Sequence, residues 1–302
     1  MQTQQLVSGI IVSIKTLITK NKMRHFHLFL ILVLFLFSGC QTTESLKTST
    51  QLARQKHLSI QIIQTSGFPI MAMQPGFDKS SDILRIYIEG DGKAWMRSGR
   101  PSSNPTPVNR LVHKIMTKDE KRDIAYLARP CQFIMQPDCS SYIWTFGRYD
   151  QKVIDSMNEA ITKLKQQYDF KQLELIGYSG GATIALIIAA KRNDVISVRT
   201  VAGNLDPEFT NNFHKVSPMP TALNPVSFAN NLKQVPQIHF YGENDPIIPK
   251  DISDHYLKYF VDSTCIQTVL VEKASHHDGW AKKWAGLLTK EAQCKTKKAH
   301  IY

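Results

Sequence analysis

The stretch from Leu173 to Arg192 constrains the fold of this chain more than any other part. Its sequence, LELIGYSGGATIALIIAAKR, begins as a short apolar run and ends as an Ala- and Leu-rich segment with helical spacing. The residues Gly177–Gly181 (GYSGG) separate the two parts. Because glycine permits the tight, strained backbone of a sharp turn, the pattern predicts a strand, a turn with Ser179 at its apex, and a helix.

A serine in a G-x-S-x-G turn between a strand and a helix is typical of a catalytic nucleophile. The start of such a helix brings backbone N–H groups and the positive end of its dipole close to Ser179, where an oxyanion would form. The alternative is a Gly-Ser-Gly loop that only joins a strand to a helix. The strand directly before the turn and the helix directly after it favour the nucleophile.

The rest of the chain alternates predicted strands with predicted helices. This alternation is typical of an α/β fold with a mostly parallel, twisted sheet and helices on both faces. A hairpin is predicted around Ser59–Gln64 and Ile70–Met73. The stretch Pro207–Leu232, with four prolines, is predicted to be irregular and long enough for a lid. The predicted strands are 83–88, 124–127, 195–201, 238–241 and 266–271, and the predicted helices are 108–117, 149–168, 251–260 and 280–293.

A serine hydroxyl needs a base that takes its proton, and that base needs a carboxylate that holds its tautomer. On this architecture the order along the chain is Ser, then Asp or Glu, then His. Asp245 follows a predicted strand in GENDPIIP, and His276 follows the last predicted strand in SHHDGW. Asp206, at the end of the preceding strand, is the alternative acid, and His277 is the alternative base.

An oxyanion hole needs two backbone N–H donors. Gly180, directly after the nucleophile, is expected to supply one of them. The loop after an early strand, with Asp91 and Gly92, is expected to supply the second. A phosphate-binding loop is the rival interpretation of Gly90-Asp91-Gly92, but the third glycine and the Lys-Ser/Thr of a P-loop are absent.

Segments between Leu58 and Leu288 resemble the α/β-hydrolases, and more narrowly a group of bacterial α/β-hydrolase-fold lipoproteins. The resemblance implies Ser179 as nucleophile, Asp245 as acid and, because HHDGW is similar to H-x-x-G-W, His276 as base. It also implies hydrolysis of esters or related acyl compounds without a cofactor or a metal. The segments that carry it are YIEGDGKAW (87–95), NPTP (104–107), YLARPCQ (126–132), GYSGGATIA (177–185), TVAGNLD (200–206), LNP (223–225) and HHDGW (276–280).

Residues 1–39 are predicted to be a signal peptide of the lipoprotein type. Arg24 precedes an apolar run, HLFLILVLFLF, which has about half of the ~20 residues that a membrane span needs. The sequence FSGC that ends at Cys40 resembles a bacterial lipobox, which implies lipidation of Cys40. Met23 opens a compact basic region and is an alternative start. Residues 40–57 are predicted to be a polar tether, and residues 58–302 the hydrolase domain.

These features predict an exported protein of a bacterial cell envelope. Gln41 is not the acidic residue linked with inner-membrane retention, so the resemblance implies an outer-membrane lipoprotein that faces the periplasm or beyond. Ordinary signal cleavage, which would give a soluble periplasmic protein, is the alternative.

Four cysteines follow Cys40, and an even number in an exported chain predicts two disulfides. Three pairings are possible for Cys131, Cys139, Cys265 and Cys294. Pairing Cys131 with Cys139 is the local choice, and Cys265 would then pair with Cys294. No metal site is predicted, because the spacing lacks C-x-x-C.

The formal net charge of +12 is spread along the chain, without a stripe of Lys and Arg interleaved with aromatic residues. A nucleic-acid partner is therefore not expected, whereas an anionic membrane surface is compatible with the charge. The combined prediction is a serine acyl hydrolase (esterase, lipase-like enzyme or thioesterase) for a small-molecule or lipid acyl substrate, with a membrane contact through the lipid on Cys40. The alternative is a catalytically silent hydrolase-fold lipoprotein that binds its ligand, which would have a broken triad.

Overall fold

The computed structural model describes residues 40–75 and 79–295. The chain divides into one unit of residues 1–47 and a second of residues 48–302. Of the first unit only residues 40–47 are described, so the predicted signal peptide lies outside the described residues. The sheet, its helices and the candidate site all belong to the second unit.

Helix α1 (Cys40–Gln55) occupies residues that were predicted to be a tether. In its last turns Ser49 and Ala53, one helical turn apart, are both buried, and Ala53 belongs to the same apolar cluster as Leu58. Because the segment is polar in composition, this short buried face could not be predicted from the sequence. The second unit includes it, since that unit begins at Thr48. None of the described helices combines the length and the apolar character that crossing a membrane requires.

The described residues contain eight strands, which form one sheet. The strands are β1 Leu58–Ile63, β2 Ile70–Pro75, β3 Ile83–Ile88, β4 Ile124–Leu127, β5 Gln172–Tyr178, β6 Val195–Val201, β7 Gln237–Gly242 and β8 Ile266–Val271. Their order in the sheet is β1-β2-β4-β3-β5-β6-β7-β8. The antiparallel pairs are β1 with β2 and β2 with β4, and all other neighbouring strands pair in parallel. The predicted hairpin and the mostly parallel sheet are confirmed.

Helices cover both faces of this sheet. They are α2 Leu111–Met116, α3 Ser141–Trp144, α4 Gln151–Gln167, α5 Gly180–Ala190, α6 Pro207–Phe213, α7 Ala229–Leu232, α8 Lys250–Leu257 and α9 Trp280–Leu288, with 3₁₀ turns at Pro225–Phe228 and Lys258–Phe260. Leu84, Ile86 and Ile88 of β3 belong to an apolar cluster with α4 and α5, whereas Tyr87 belongs to a second cluster with α2 and α9. Successive residues of the strand therefore pack against opposite layers of helices.

The stretch Pro207–Leu232 is not irregular, as the sequence had suggested, because it contains α6, a 3₁₀ turn and α7. The side chain of Asp206 accepts a hydrogen bond from the N–H of Phe209 and caps α6, with Pro207 at the first helical position. The side chain of Asn224 caps the 3₁₀ turn in the same way. A capping residue followed by proline is a helix-start signal. The sequence analysis took the four prolines as a sign of irregular structure and therefore missed this signal.

Both predicted disulfides are formed. Cys131 pairs with Cys139 in the segment after β4, and Cys265 pairs with Cys294, which joins the start of β8 to the segment after α9. Each bridge closes a loop and so limits the conformations open to the unfolded chain.

Candidate active site

The turn between β5 and α5 holds Ser179 in a strained backbone conformation, with φ 50° and ψ −120°. A Cβ atom on Gly177 would lie 2.5 Å from the carbonyl oxygen of Gly181. A Cβ atom on Gly181 would lie 2.5 Å from the carbonyl oxygen of Glu89. Both outer glycines of the G-x-S-x-G motif are therefore required, because the turn is packed against backbone atoms that cannot move aside.

The end of β6 and the segment after it fix the position of this turn. The N–H of Ser179 donates to the carbonyl oxygen of Val201, and the carbonyl oxygen of Ser179 accepts from the N–H of Asn204, both at 3.0 Å. The hydroxyl of Thr183 on α5 donates to the carbonyl oxygen of Asn204 at 2.6 Å. Backbone bonds on both sides of Ser179 thus maintain its strained conformation.

Ser179, His276 and Asp245 form a continuous chain of hydrogen bonds. Nε2 of His276 lies 3.0 Å from Oγ of Ser179, and Nδ1 of His276 lies 2.9 Å from Oδ2 of Asp245. His276 and Asp245 are both buried. A carboxylate at Nδ1 favours the tautomer that carries its proton there, which leaves Nε2 free to accept the proton of Ser179.

The turn after β7 orients the carboxylate of Asp245. Its second oxygen, Oδ1, accepts hydrogen bonds from the N–H groups of Ile247 and Ile248, each at 2.9 Å. Both carboxylate oxygens therefore have partners, and the one directed at His276 is held in place by the bonds to the other.

The alternative base, His277, lies beside the site but has other partners. Its Nδ1 lies 2.7 Å from the hydroxyl of Tyr178 and 3.0 Å from the amide nitrogen of Asn109. Burial and the neighbouring His276 lower the pKa of His277. The imidazole that faces Ser179 belongs to His276.

The alternative acid, Asp206, serves helix α6 instead. In addition to the N–H of Phe209, its Oδ1 accepts from the side-chain amide of Asn224 at 2.7 Å. Its Oδ2 lies 3.1 Å from Nδ1 of His255. The carboxylate that pairs with His276 therefore belongs to Asp245.

The structure brings the predicted oxyanion residues to one place. Within the described part of the chain, the N–H groups of Gly180, Asp91 and Gly92 donate to no acceptor. The N–H of Gly90 donates to its neighbour, Oε1 of Glu89, at 3.0 Å. The loop touches the turn, because a side chain at Gly180 would collide with Oδ1 of Asp91. The loop that carries Asp91 and Gly92 thus lies directly beside the turn that carries Ser179.

A cluster of charges that the sequence analysis missed supports this loop. The carboxylate of Asp91 pairs with Nη1 of Arg129 and lies 3.2 Å from Nε of Arg148. Both guanidinium groups lie 5.2 Å from the ring centre of Tyr149. Burial disfavours the charged form of Arg148, but Asp91 and Tyr149 outweigh it and raise the pKa of Arg148. The cluster joins residues from three separate loops, so no local pattern in the sequence pointed to it.

Tyr178, directly before Ser179, is a second residue that the sequence analysis missed. Its hydroxyl lies 3.1 Å from the carbonyl oxygen of His276 and also contacts Nδ1 of His277. Burial raises the pKa of Tyr178, so its hydroxyl remains a donor. Tyr178 therefore positions the loop that carries His276, although the motif allows any residue at this position.

The described residues contain no group of three or more His, Cys, Asp or Glu side chains that could hold a metal ion.

Comparison with solved structures shows that the chain has the α/β-hydrolase fold. An esterase of Pyrococcus furiosus has a TM-score of 0.57 and 14% identity, over 78% of this chain and 92% of its own. Est1E from Butyrivibrio proteoclasticus has a TM-score of 0.51 and 15% identity, over 76% of this chain and 95% of its own. Pyrococcus horikoshii acylaminoacyl peptidase has a TM-score of 0.55 and 10% identity, over 80% of this chain and 43% of its own. At such identities the likeness concerns the fold alone.

A search of curated proteins finds no match to this sequence. A protein-family model described as "Serine hydrolase (FSH1)" matches residues 103–278. The matched region is more than half of the chain and contains Ser179, Asp245 and His276. The chain therefore belongs to the serine hydrolase (FSH1) family.

Proposed function

We propose that this serine hydrolase cleaves carboxylic esters through a Ser179-His276-Asp245 triad and an acyl-enzyme intermediate. The observation that carries the proposal is the unbroken hydrogen-bond chain from Oγ of Ser179 through His276 to Asp245, with distances of 3.0 and 2.9 Å. The match to the serine hydrolase family supports hydrolysis by an activated serine.

The first half of the reaction acylates the serine. Oγ of Ser179 attacks the carbonyl carbon of the ester while Nε2 of His276 takes the hydroxyl proton. Asp245 stabilises the imidazolium, and the N–H groups of Gly180 and of the Asp91–Gly92 loop donate to the oxyanion. The tetrahedral intermediate then collapses, the bond to the leaving oxygen breaks, and His276 gives its proton to the departing alcohol.

The second half of the reaction releases the acid. His276 takes a proton from water, which attacks the acyl carbon, and the same N–H groups stabilise the second oxyanion. The bond to Oγ breaks, Ser179 regains its proton from His276, and the carboxylic acid leaves. One ester and one water thus give one alcohol and one acid.

Turnover of matched acyl compounds tests this proposal. We expect the purified domain to hydrolyse 4-nitrophenyl butyrate, and Ser179→Ala to lower kcat by about 10⁴-fold or more. The butyryl thioester and the butyryl anilide of the same acyl group distinguish esterase, thioesterase and amidase. A folded wild-type protein that turns over none of the three would contradict the proposal and favour the ligand-binding alternative.

An acyl-chain series tests the predicted lid within residues 207–232. A lid over a site for lipid acyl groups should favour long chains, so kcat/KM should rise from acetate to laurate esters. Good activity on short esters and none on long ones would contradict a lipid substrate.

We also propose that the protein is exported and anchored by a lipid on Cys40. Two disulfides in the described domain support an oxidising compartment. Metabolic labelling with an alkyne fatty acid should tag the wild-type protein and leave Cys40→Ser untagged. Equal labelling of both proteins, or labelling of neither, would contradict the anchor.

A further inference from the structure

A cleft of about 450 Å³ opens between loops that follow the carboxyl ends of β3, β4 and β6. In parallel α/β sheets, ligands bind at this edge, where Ser179 also lies. All three loops contribute side chains to its walls, among them Trp95, Phe146, Arg148, Lys215, Val216 and Met219.

Contacts through Arg148 and Asp91 link the wall of the cleft to the turn that carries Ser179. Arg148, in its wall, lies 3.2 Å from Oδ2 of Asp91 through Nε. The other oxygen of Asp91 packs against Gly180, the residue after Ser179. A substrate that occupies the cleft therefore contacts Arg148, and the turn that carries Ser179 lies on the far side of Asp91.

The cleft carries more positive than negative charge. Arg129 and Arg148 share one carboxylate, that of Asp91, which leaves one positive charge over. Nη1 of Arg148 donates to the carbonyl oxygen of Thr145 at 2.7 Å. Lys215 forms no ion pair with a described residue, and no described Asp or Glu lines the cleft. Arg148 and Lys215 are thus available to an anion.

The other walls are apolar. The rings of Trp95 and Phe146 meet edge to face with their centres 5.6 Å apart, and Val216 and Met219 lie on the α6 side of the cleft. Trp95 is 40% exposed and Val216 is 56% exposed, so apolar surface remains for a ligand to cover. An apolar body with one anionic end matches these walls.

We propose that the cleft selects esters that carry a free carboxylate at the end of an apolar chain, with the carboxylate bound by Arg148 and Lys215. A planar guanidinium pairs well with the two oxygens of a carboxylate, and the aromatic pair covers the chain. This inference rests on the proposed esterase activity and names its substrate class.

Matched pairs of esters test the inference. The mono-4-nitrophenyl esters of succinic, adipic and suberic acid carry the free carboxylate, and their methyl-capped forms are neutral. At low salt we expect at least one length for which the anionic ester has roughly 10-fold higher kcat/KM than its neutral partner. This preference should weaken as salt is added, because Lys215 is exposed.

Charge reversal at Lys215 provides the specific variant. Lys215→Glu should lower the anionic-to-neutral ratio of kcat/KM by about 10-fold or more. Lys258→Glu is the matched control, since it reverses an exposed charge just after α8, at the opposite edge of the sheet. The control should retain the wild-type ratio.

The outcomes separate this inference from the proposed function. Hydrolysis of both partners at equal rates for every length, or a ratio unaltered by Lys215→Glu, would overturn the substrate class and leave the esterase in place. Failure to hydrolyse any of the esters would overturn both.

Discussion

At the scale of single residues, the proposed mechanism depends on which carboxylate holds His276. We expect Asp245→Asn to lower kcat by about 10⁴-fold, because an amide in this position favours the wrong tautomer of His276. Asp206→Asn is the matched control and should stay within a few-fold of the wild type, because asparagine also caps helices well. Steady-state hydrolysis of 4-nitrophenyl butyrate measures both. A larger loss in Asp206→Asn would reassign the acid.

The buried carboxyl group of Glu89, beside the turn that carries Ser179, predicts a pH-dependent stability. Burial raises the pKa of Glu89 to about 7, against the hydrogen bonds from the N–H of Gly90 and the hydroxyl of Tyr126. Because this pKa is raised above the unfolded value, the fold favours the protonated form. The stability that Glu89 contributes is therefore fully present below about pH 4.5 and is lost as the pH rises through about 7.

Glu89→Gln removes this titration. The free energy of unfolding of Glu89→Gln minus that of the wild type should increase by roughly 3 kcal/mol between pH 4.5 and pH 8, because only the wild type loses stability over this range. Urea denaturation at several pH values measures the difference, with the exposed Glu120→Gln as the control. A difference between Glu89→Gln and the wild type that does not change with pH would contradict the explanation.

The sequence points to the three residues of the proposed triad but not to the residues that hold them in place. Ser179, Asp245 and His276 could be proposed from their residue types, the G-x-S-x-G motif and their order along the chain. Tyr178 and Arg148 could not, because their contacts with His276 and Asp91 come from segments far apart in the chain. Their roles depend on side-chain packing that no local pattern encodes.

At the scale of secondary-structure elements, the strand–turn–helix unit around Ser179 is the most tightly constrained. Gly181→Ala should lower the free energy of unfolding by about 1–3 kcal/mol or prevent folding, because its Cβ would meet the carbonyl oxygens of Ile88 and Glu89. Gly286→Ala in α9 meets nothing within 4 Å, so it should stabilise the protein by about 0.5–1 kcal/mol. Urea denaturation compares the two; equal effects would contradict the packing argument.

Most elements were predicted close to their observed bounds, because apolar runs in this chain follow clear strand and helix periods. The exceptions are α1, α6 and the one-turn helices α3 and α7, none of which was predicted. Helix α1 is polar in composition, and only a short face of it is buried. Helix α6 begins with the pair Asp206-Pro207, which is as typical of a turn as of a capped helix.

At the scale of the whole molecule, the order of the strands in the sheet could not be predicted from the sequence. Strand β4 lies between β2 and β3, so the antiparallel hairpin joins the parallel sheet through a strand that comes later in the chain. Alternation of elements predicts a parallel sheet, but pairing between distant strands depends on tertiary packing. The carboxyl edge that collects Ser179, Asp245 and His276 nevertheless follows from the parallel arrangement alone.

The two disulfides should differ in their effect on global stability. Cys131–Cys139 spans a sequence separation of 8, and Cys265–Cys294 one of 29. Since the entropy lost by the unfolded chain grows with loop length, replacing the second pair by serines should cost about 1 kcal/mol more than replacing the first. Chemical denaturation of the two double variants measures this, and a larger loss for the shorter loop would contradict the entropic explanation.

We propose that Ser179 is a nucleophile activated by His276, and covalent labelling with a fluorophosphonate probe tests this claim. We predict that the wild-type domain is labelled, that peptide mass analysis places the adduct on Ser179, and that labelling disappears in Ser179→Ala and falls by at least about 100-fold in His276→Ala. His277→Ala, the matched control, should remain labelled. A folded wild-type protein that stays unlabelled, or an adduct on another residue, would contradict the claim.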